Sequence, residues 1–168
     1  MARESDLLAR CASVIQRYPT GMMTTVEPTG MPCSRYMTAA IGANIRQLYC
    51  LTVRDGRKLA HLHANPEVCW VFADPEQQEV VTLYGHAREV DDAVGADDLW
   101  DRLIRHVEPY GLNMLGQQEG TEYRFVETRV DAVEYLNQQE KILRPHRVQL
   151  HQPGRSAGCC GGAGCSSA

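Results

Sequence analysis

Two hydrophobic rhythms run along the chain. From Ser5 to Tyr18 the apolar side chains Leu7, Leu8, Cys11, Val14, Ile15 and Tyr18 recur at spacings of three and four, with Arg10, Gln16 and Arg17 between them. That period predicts an amphipathic helix. Ser5 suits its N-cap, with Asp6 in the first turn, and Pro19 and Gly21 end it. The rhythm then shortens. Met22–Val26 and Met31–Ala40 read as a hairpin joined by Glu27-Pro28-Thr29-Gly30, where Pro28 fits position i+1 of a turn and Gly30 a place near its end. After a turn at Asn44, Gln47–Val53 is a third strand. Arg57–Ala64 predicts a short helix with Leu59 and Leu62 on one face, stopped by Asn65-Pro66 because the residue before proline disfavours helix. Val68–Ala73 reads as a buried strand, and Val80–Val90 as a longer, partly alternating one. Asp91 to about Val107 is helical, with Val94, Leu99, Leu103 and Val107 as its stripe. Pro109, Gly111 and Gly116 mark a loop, and Tyr123–Val130 and Ala132–Leu136 are the closing strands.

About six strands, a leading helix and a short helix inside the strand run predict a small β-barrel with flanking α-helices. Strands and long helices do not alternate, which disfavours a parallel α/β sheet.

Composition adjusts this picture at the end of the chain. The 168 residues are 43% hydrophobic and 23% charged, ordinary for one globular domain. From Pro153 onward the pattern stops: residues 153–168 hold five of the 14 glycines and no large apolar side chain. Such a stretch buries too little surface to offset its ordering entropy, so the expected organisation is a domain over 1–152 and a flexible tail over 153–168. No run approaches the ~20 apolar residues of a membrane-spanning helix. The first residues, with Glu4 and Asp6, do not read as a secretory signal, and a cytoplasmic protein is expected. A net charge of −4 argues against broad nucleic-acid binding.

Candidate chemistry gathers in two places. At Thr52-Val53-Arg54-Asp55-Gly56-Arg57-Lys58 a strand runs into a helix N-terminus. Arg57 and Lys58 stand in the first helical turn, where they oppose the helix dipole. Free N–H groups, a hydroxyl and two cations make a phosphate site; the same residues also describe a solvated basic turn. In Cys33-Ser34-Arg35-Tyr36-Met37-Thr38, alternation puts Arg35 and Met37 on one face and Tyr36 and Thr38 on the other. A mid-strand arginine there wants an anion, either a ligand or a carboxylate such as Glu27. His61 and His63, at i, i+2, have the wrong spacing for one metal on one helix face and read as surface residues. His86 reads as half-exposed, and His106 as a residue near a helix C-terminus. Trp70 and Phe72 read as core, and Trp100 as a contact at a dimer interface.

The order of these pieces resembles the FMN-binding split-barrel family that includes pyridoxamine 5′-phosphate oxidase and the general-stress-protein-like members. The matching residues are Gly30-Met31-Pro32 with Arg35-Tyr36-Met37, then Leu48–Thr52 leading to Gly56-Arg57-Lys58, then Asn65-Pro66-Glu67-Val68, Gly85-His86-Ala87, and the closing strands; together they span roughly residues 5–136. The resemblance implies a mainly β fold, a six-stranded split β-barrel of Greek-key type with flanking helices. It also implies FMN held at a homodimer interface. Arg35, Arg57 and Lys58 would hold the phosphate, and Tyr36, Met37, Thr38, Leu51 and Thr52 would flank the ring and ribityl chain. The tryptophan- and arginine-rich substrate segment of true pyridoxamine oxidases has no counterpart here, and Val80 stands where they carry a flavin-contacting glutamine. The implied role is therefore a flavin-linked oxidoreductase acting on another small molecule or electron donor, with no catalytic acid or base nominated. The alternatives are a non-catalytic flavin or haem carrier or sensor, and a redox or metal regulator.

That last alternative rests on the seven cysteines. Cys11, Cys33, Cys50 and Cys69 are scattered and read as small hydrophobes, whereas Cys159, Cys160 and Cys165 crowd the final ten residues. Three thiolates fall one short of a closed metal site, unless His146 or His151 supplies a fourth ligand. Exposed thiols exchanging electrons with a flavin are a second reading, and the composition favours a tail without structure.

Overall fold

The structure is a computed structural model that describes residues 2–90, 96–107 and 122–150. The elements are α1 (Ala2–Arg17), β1 (Thr20–Val26), β2 (Pro32–Ile41), β3 (Gln47–Val53), α2 (Arg57–Ala64), β4 (Glu67–Ala73), β5 (Glu79–Val90), α3 (Ala96–Val107), β6 (Tyr123–Asn137) and β7 (Ile142–Gln149). The expected tail at 153–168, the start of the second long helix at Asp91 and the loop marked by Pro109, Gly111 and Gly116 lie outside the described residues.

All strand pairings are antiparallel, in the order β3-β2-β1-β4-β5-β6-β7. Pairing of β3 with β6 then closes six strands into a barrel. The sequence β4-β1-β2-β3 around the wall is a Greek key, with α2 crossing from β3 to β4. The glutamate-to-glycine turn forms as its residues require: the Gly30 N–H donates to the Glu27 carbonyl at 2.8 Å and the Glu27 N–H to the Met31 carbonyl at 2.9 Å.

The two closing strands expected from sequence are one strand. Asp131, which reads as a break, is the extra residue of a bulge: Tyr84 pairs with Ala132 and Gly85 with Val130. The two backbones meet closely here. A Cβ on Gly85 would lie 2.0 Å from the Arg129 carbonyl oxygen, so glycine is required on steric grounds. The bulge also divides the other edge of β6. Tyr123–Arg129 pairs with β3, and Ala132–Asn137 pairs with β7. β7 itself escapes the sequence reading because Pro145 and its basic neighbours break the pattern. Proline is accommodated since, among the described residues, β7 is an edge strand bonded to β6 alone.

Inside the barrel, Met23, Leu48, Cys50, Trp70, Phe72, Val81, Leu83, Val126 and Val133 are all within 1% of full burial. Trp70 and Phe72 stack with ring centroids 5.5 Å apart, and the Trp70 indole N–H donates to the buried Thr128 hydroxyl at 3.2 Å. α1 seals one mouth. Cys11, Val14 and Ile15 join the core, and its polar side is fastened by Arg17 to Glu79 and Arg10 to Glu140, both at 2.8 Å. Helix α1 starts at Ala2, before the expected cap at Ser5. α2 lies over the opposite mouth, where β1 and β3 end and β2 and β4 begin, and inserts Leu59 and Leu62 into the core. α3 packs on the outer wall, where Leu99 and Leu103 cover Ala40, Tyr49 and Leu51.

Candidate functional site

The mouth under α2 gathers polar groups at the end of an apolar barrel. On β1 the alternation that buries Gly21 and Met23 also buries Thr25, which is 0% exposed. On β2 the same face carries Cys33, Arg35 and Met37, because Arg35 pairs with Met23 and Cys33 with Thr25. On β3 the inward residues are Leu48, Cys50 and Thr52, the last 4% exposed. Immediately beyond it, α2 begins at Arg57 with no side chain capping its N-terminus. Gly56 is packed against this corner: a Cβ there would lie 2.9 Å from the Thr52 hydroxyl and 3.0 Å from the Val53 carbonyl oxygen.

Two cations enter this space. The Lys58 ammonium donates to the Thr52 hydroxyl at 2.6 Å, and an Arg35 guanidinium N–H donates to the Thr25 hydroxyl at 2.7 Å. Neither makes an ion pair among the described residues; the carboxylate partner considered for Arg35, Glu27, is not used. Burial lowers the Lys58 pKa from the usual lysine value, and the Arg35 charge lowers it further. Cys50 lies within the field of both. Burial nevertheless pushes its thiol up to about 12, so it stays a thiol. Two half-buried cations that repel each other, with hydroxyls on both sides and an uncapped helix N-terminus beside them, fit an anion with more than one oxygen.

The other sequence-nominated residues are distributed around this corner. Arg57 faces outward and lines an open cleft of about 680 Å³ with Arg54, His63, Glu89 and Arg124. Met37 is half-buried against the core. Tyr36 and Thr38 are on the outer face of β2, where Tyr36 is 73% exposed and opposite Met22. Leu51 is also on the outer face, under α3. Arg35, Thr52 and Lys58 are thus brought together within one chain, while Tyr36, Thr38 and Leu51 lie on the other side of the wall.

His61 departs from the sequence reading. It is buried, 6% exposed, and its Nδ1 is 2.9 Å from the Thr25 hydroxyl. The sign available in the sequence was its spacing of three from Lys58, which places both on the helix face turned to the barrel; the i, i+2 relation to His63 hid it. His63 is exposed and 3.4 Å from Glu89, and His86 is half-exposed with its Nδ1 2.5 Å from Asp131. The side chain of His106 lies outside the described residues. Among the described residues no cluster of histidine, cysteine and acidic side chains could hold a metal, and no helix is long and apolar enough to cross a membrane.

The molecule is thus a closed Greek-key barrel with two half-buried cations at one mouth. The pyridoxamine 5′-phosphate oxidase family matches residues 7–137, and the chain belongs to that family, whose members typically bind flavin. Solved structures agree in fold. A protein related to general stress protein 26 from Clostridium acetobutylicum superposes with a TM-score of 0.67 at 17% identity, over 86% of this chain and 95% of that one. General stress protein 26 from Bacillus anthracis gives 0.64 at 19%, over 86% and 98%. A FAD-binding protein from Mesorhizobium loti gives 0.57 at 19%, over 74% and 90%. By sequence, no curated protein matches the chain.

Proposed function

We propose that this protein is an FMN-dependent oxidoreductase acting on a small molecule, working as a cytoplasmic homodimer. The observation that carries the reading is the pair Arg35 and Lys58, half-buried, hydrogen-bonded only to hydroxyls and facing no carboxylate among the described residues. A phosphate monoester is a dianion with three acceptor oxygens near neutral pH. It satisfies both cations, and the helix N-terminus adds to its binding. Arg57, at the start of α2, completes the cationic rim from outside. FMN carries such a phosphate, and its ring supplies the redox chemistry; the protein's part is to bind and orient it.

The outer face supports the dimer. Met22, Tyr36 and Val53 are large apolar or amphipathic side chains left exposed next to the corner. A second copy laid against them would place Tyr36, Thr38 and the β3 edge beside a ring extending from the phosphate. An absorbance spectrum of the purified protein tests the proposal directly: it is expected to show bound flavin, or to take up added FMN. The Arg35→Ala/Lys58→Ala double variant is expected to bind none. Full flavin in that variant, or no uptake by the wild type, overturns the assignment. Bleaching by a nicotinamide donor and recolouring by an acceptor distinguish an oxidoreductase from a carrier that binds without turnover.

A further inference from the structure

Thr25 is a hydroxyl with no solvent contact in the wall of an apolar barrel, where an unpartnered hydroxyl is costly. It has two partners: Arg35 at 2.7 Å and His61 Nδ1 at 2.9 Å. A guanidinium only donates, so Thr25 accepts from Arg35, and the same hydroxyl bonds His61 Nδ1 as donor or acceptor according to the imidazole tautomer. The three residues form a hydrogen-bonded chain from β2 through β1 to α2. His61 is one helical turn from Lys58, so the helix that presents one cation is tied to the strand that presents the other. Without such ties, two like charges in one partly desolvated corner would swing apart toward water.

We infer that Thr25 and His61 are positioning residues for the anion-binding corner, holding the Arg35 guanidinium at a fixed separation from Lys58 so that a phosphate monoester meets both cations without reorganisation. This inference rests on the flavin-phosphate reading above and goes beyond it by naming the residues that pre-set the corner. Neither residue needs to touch the ligand. Their effect should therefore be confined to the phosphate end and should not reach the flavin ring.

The test compares FMN with riboflavin, which has the same ring and ribityl chain and lacks the phosphate. Affinities of both are measured by quenching of flavin fluorescence. Thr25→Val, which keeps the shape and removes both hydrogen bonds, is expected to weaken FMN by about tenfold and leave riboflavin within about twofold. His61→Leu is expected to do the same. Thr25→Ser, which restores the hydroxyl, and His61→Asn, whose amide offers a donor and an acceptor near the Nδ1 position, are expected to recover the wild-type ratio. An unchanged FMN-to-riboflavin ratio in both Thr25→Val and His61→Leu overturns the positioning role while leaving the flavin reading intact. A wild-type protein that binds neither ligand, or both equally, overturns the flavin-phosphate reading itself and the inference with it. Should Thr25→Val not fold, His61→Leu with its asparagine rescue decides the question.

Discussion

The Lys58 ammonium donates a 2.6 Å hydrogen bond to the Thr52 hydroxyl, joining the last inward residue of β3 to the first turn of α2. The bond aims a cation into the barrel mouth at a cost. Lys58 is partly desolvated and stands near Arg35, and both effects lower its pKa. A lysine with a folded pKa below its unfolded one destabilises the fold below the folded pKa, and that penalty fades as pH rises toward the unfolded value. Lys58→Met is therefore expected to raise the thermal midpoint of the flavin-free protein at neutral pH, while abolishing FMN binding. The advantage over wild type should shrink as pH approaches the ordinary lysine range, where wild-type Lys58 is itself neutral. Melting curves at a series of pH values check both signs.

Gly56 guards the same corner by its size. With a Cβ 2.9 Å from the Thr52 hydroxyl, Gly56→Ala must displace the group that holds Lys58. The expected outcome is an FMN affinity reduced by about tenfold, measured by fluorescence quenching, with a circular dichroism spectrum like that of wild type.

Gly85→Ala is a test of the fold. Its Cβ would fall 2.0 Å from a backbone oxygen of β6, and no rotation of a side chain relieves that. The strands must part at the bulge, and a loss of about 3 kcal/mol or more is expected from the midpoint of urea unfolding.

The mouth closed by α1 depends on a different network. The Tyr135 hydroxyl donates to Glu79 at 2.7 Å and accepts from Asn137 at 3.1 Å, and Glu79 also takes a bond from Arg17. The Arg17 hydrogen bond, and after it that of Tyr135, hold the Glu79 carboxyl below the usual range. The stability this contributes is present above the ordinary glutamate pKa and is lost as pH falls through the lowered value. Tyr135→Phe leaves the Asn137 amide without its acceptor and is expected to cost about 2 kcal/mol at pH 7. Its stability should also fall less steeply in acid than that of wild type, in urea titrations at stepwise lower pH.

Cys11 and Cys50 are fully buried with thiols pushed up to about 12, whereas Cys33 and Cys69 are half-exposed. Alkylation of the native protein at pH 8, mapped by peptide mass spectrometry, is expected to spare Cys11 and Cys50 until denaturant is added.

The barrel was legible because its strands follow a period of two. Val68, Trp70 and Phe72 point in while Cys69 and Val71 do not, and the cations at 35, 57 and 58 stood out against an apolar pattern. What was not legible depended on neighbours distant in sequence. Asp131 looks like a strand break until Gly85 is set opposite it. The β7 strand, with Pro145, is readable only once β6 has an edge to offer. His61 looks like one of a pair of surface histidines until Thr25, 36 residues earlier, meets it under α2. Two of the cationic residues converge with Thr52, but Arg57 turns to the outer cleft, a choice of helix face that spacing along eight residues does not decide.

The division of β6 at Asp131 has a consequence for the integrity of the molecule. Residues Ala132–Asn137 extend past the closed barrel, and among the described residues β7 covers their outer edge. Without β7 this stretch would offer open backbone groups, flanked by hydrophobic Val133 and Tyr135, to any other chain. β7 thus acts as a guard rail: it removes one adhesive edge and substitutes its own, which carries a proline unable to donate a backbone hydrogen bond. A chain ended before Ile142 would keep Arg35, Thr52 and Lys58 in place and lose its protection against sticking to itself.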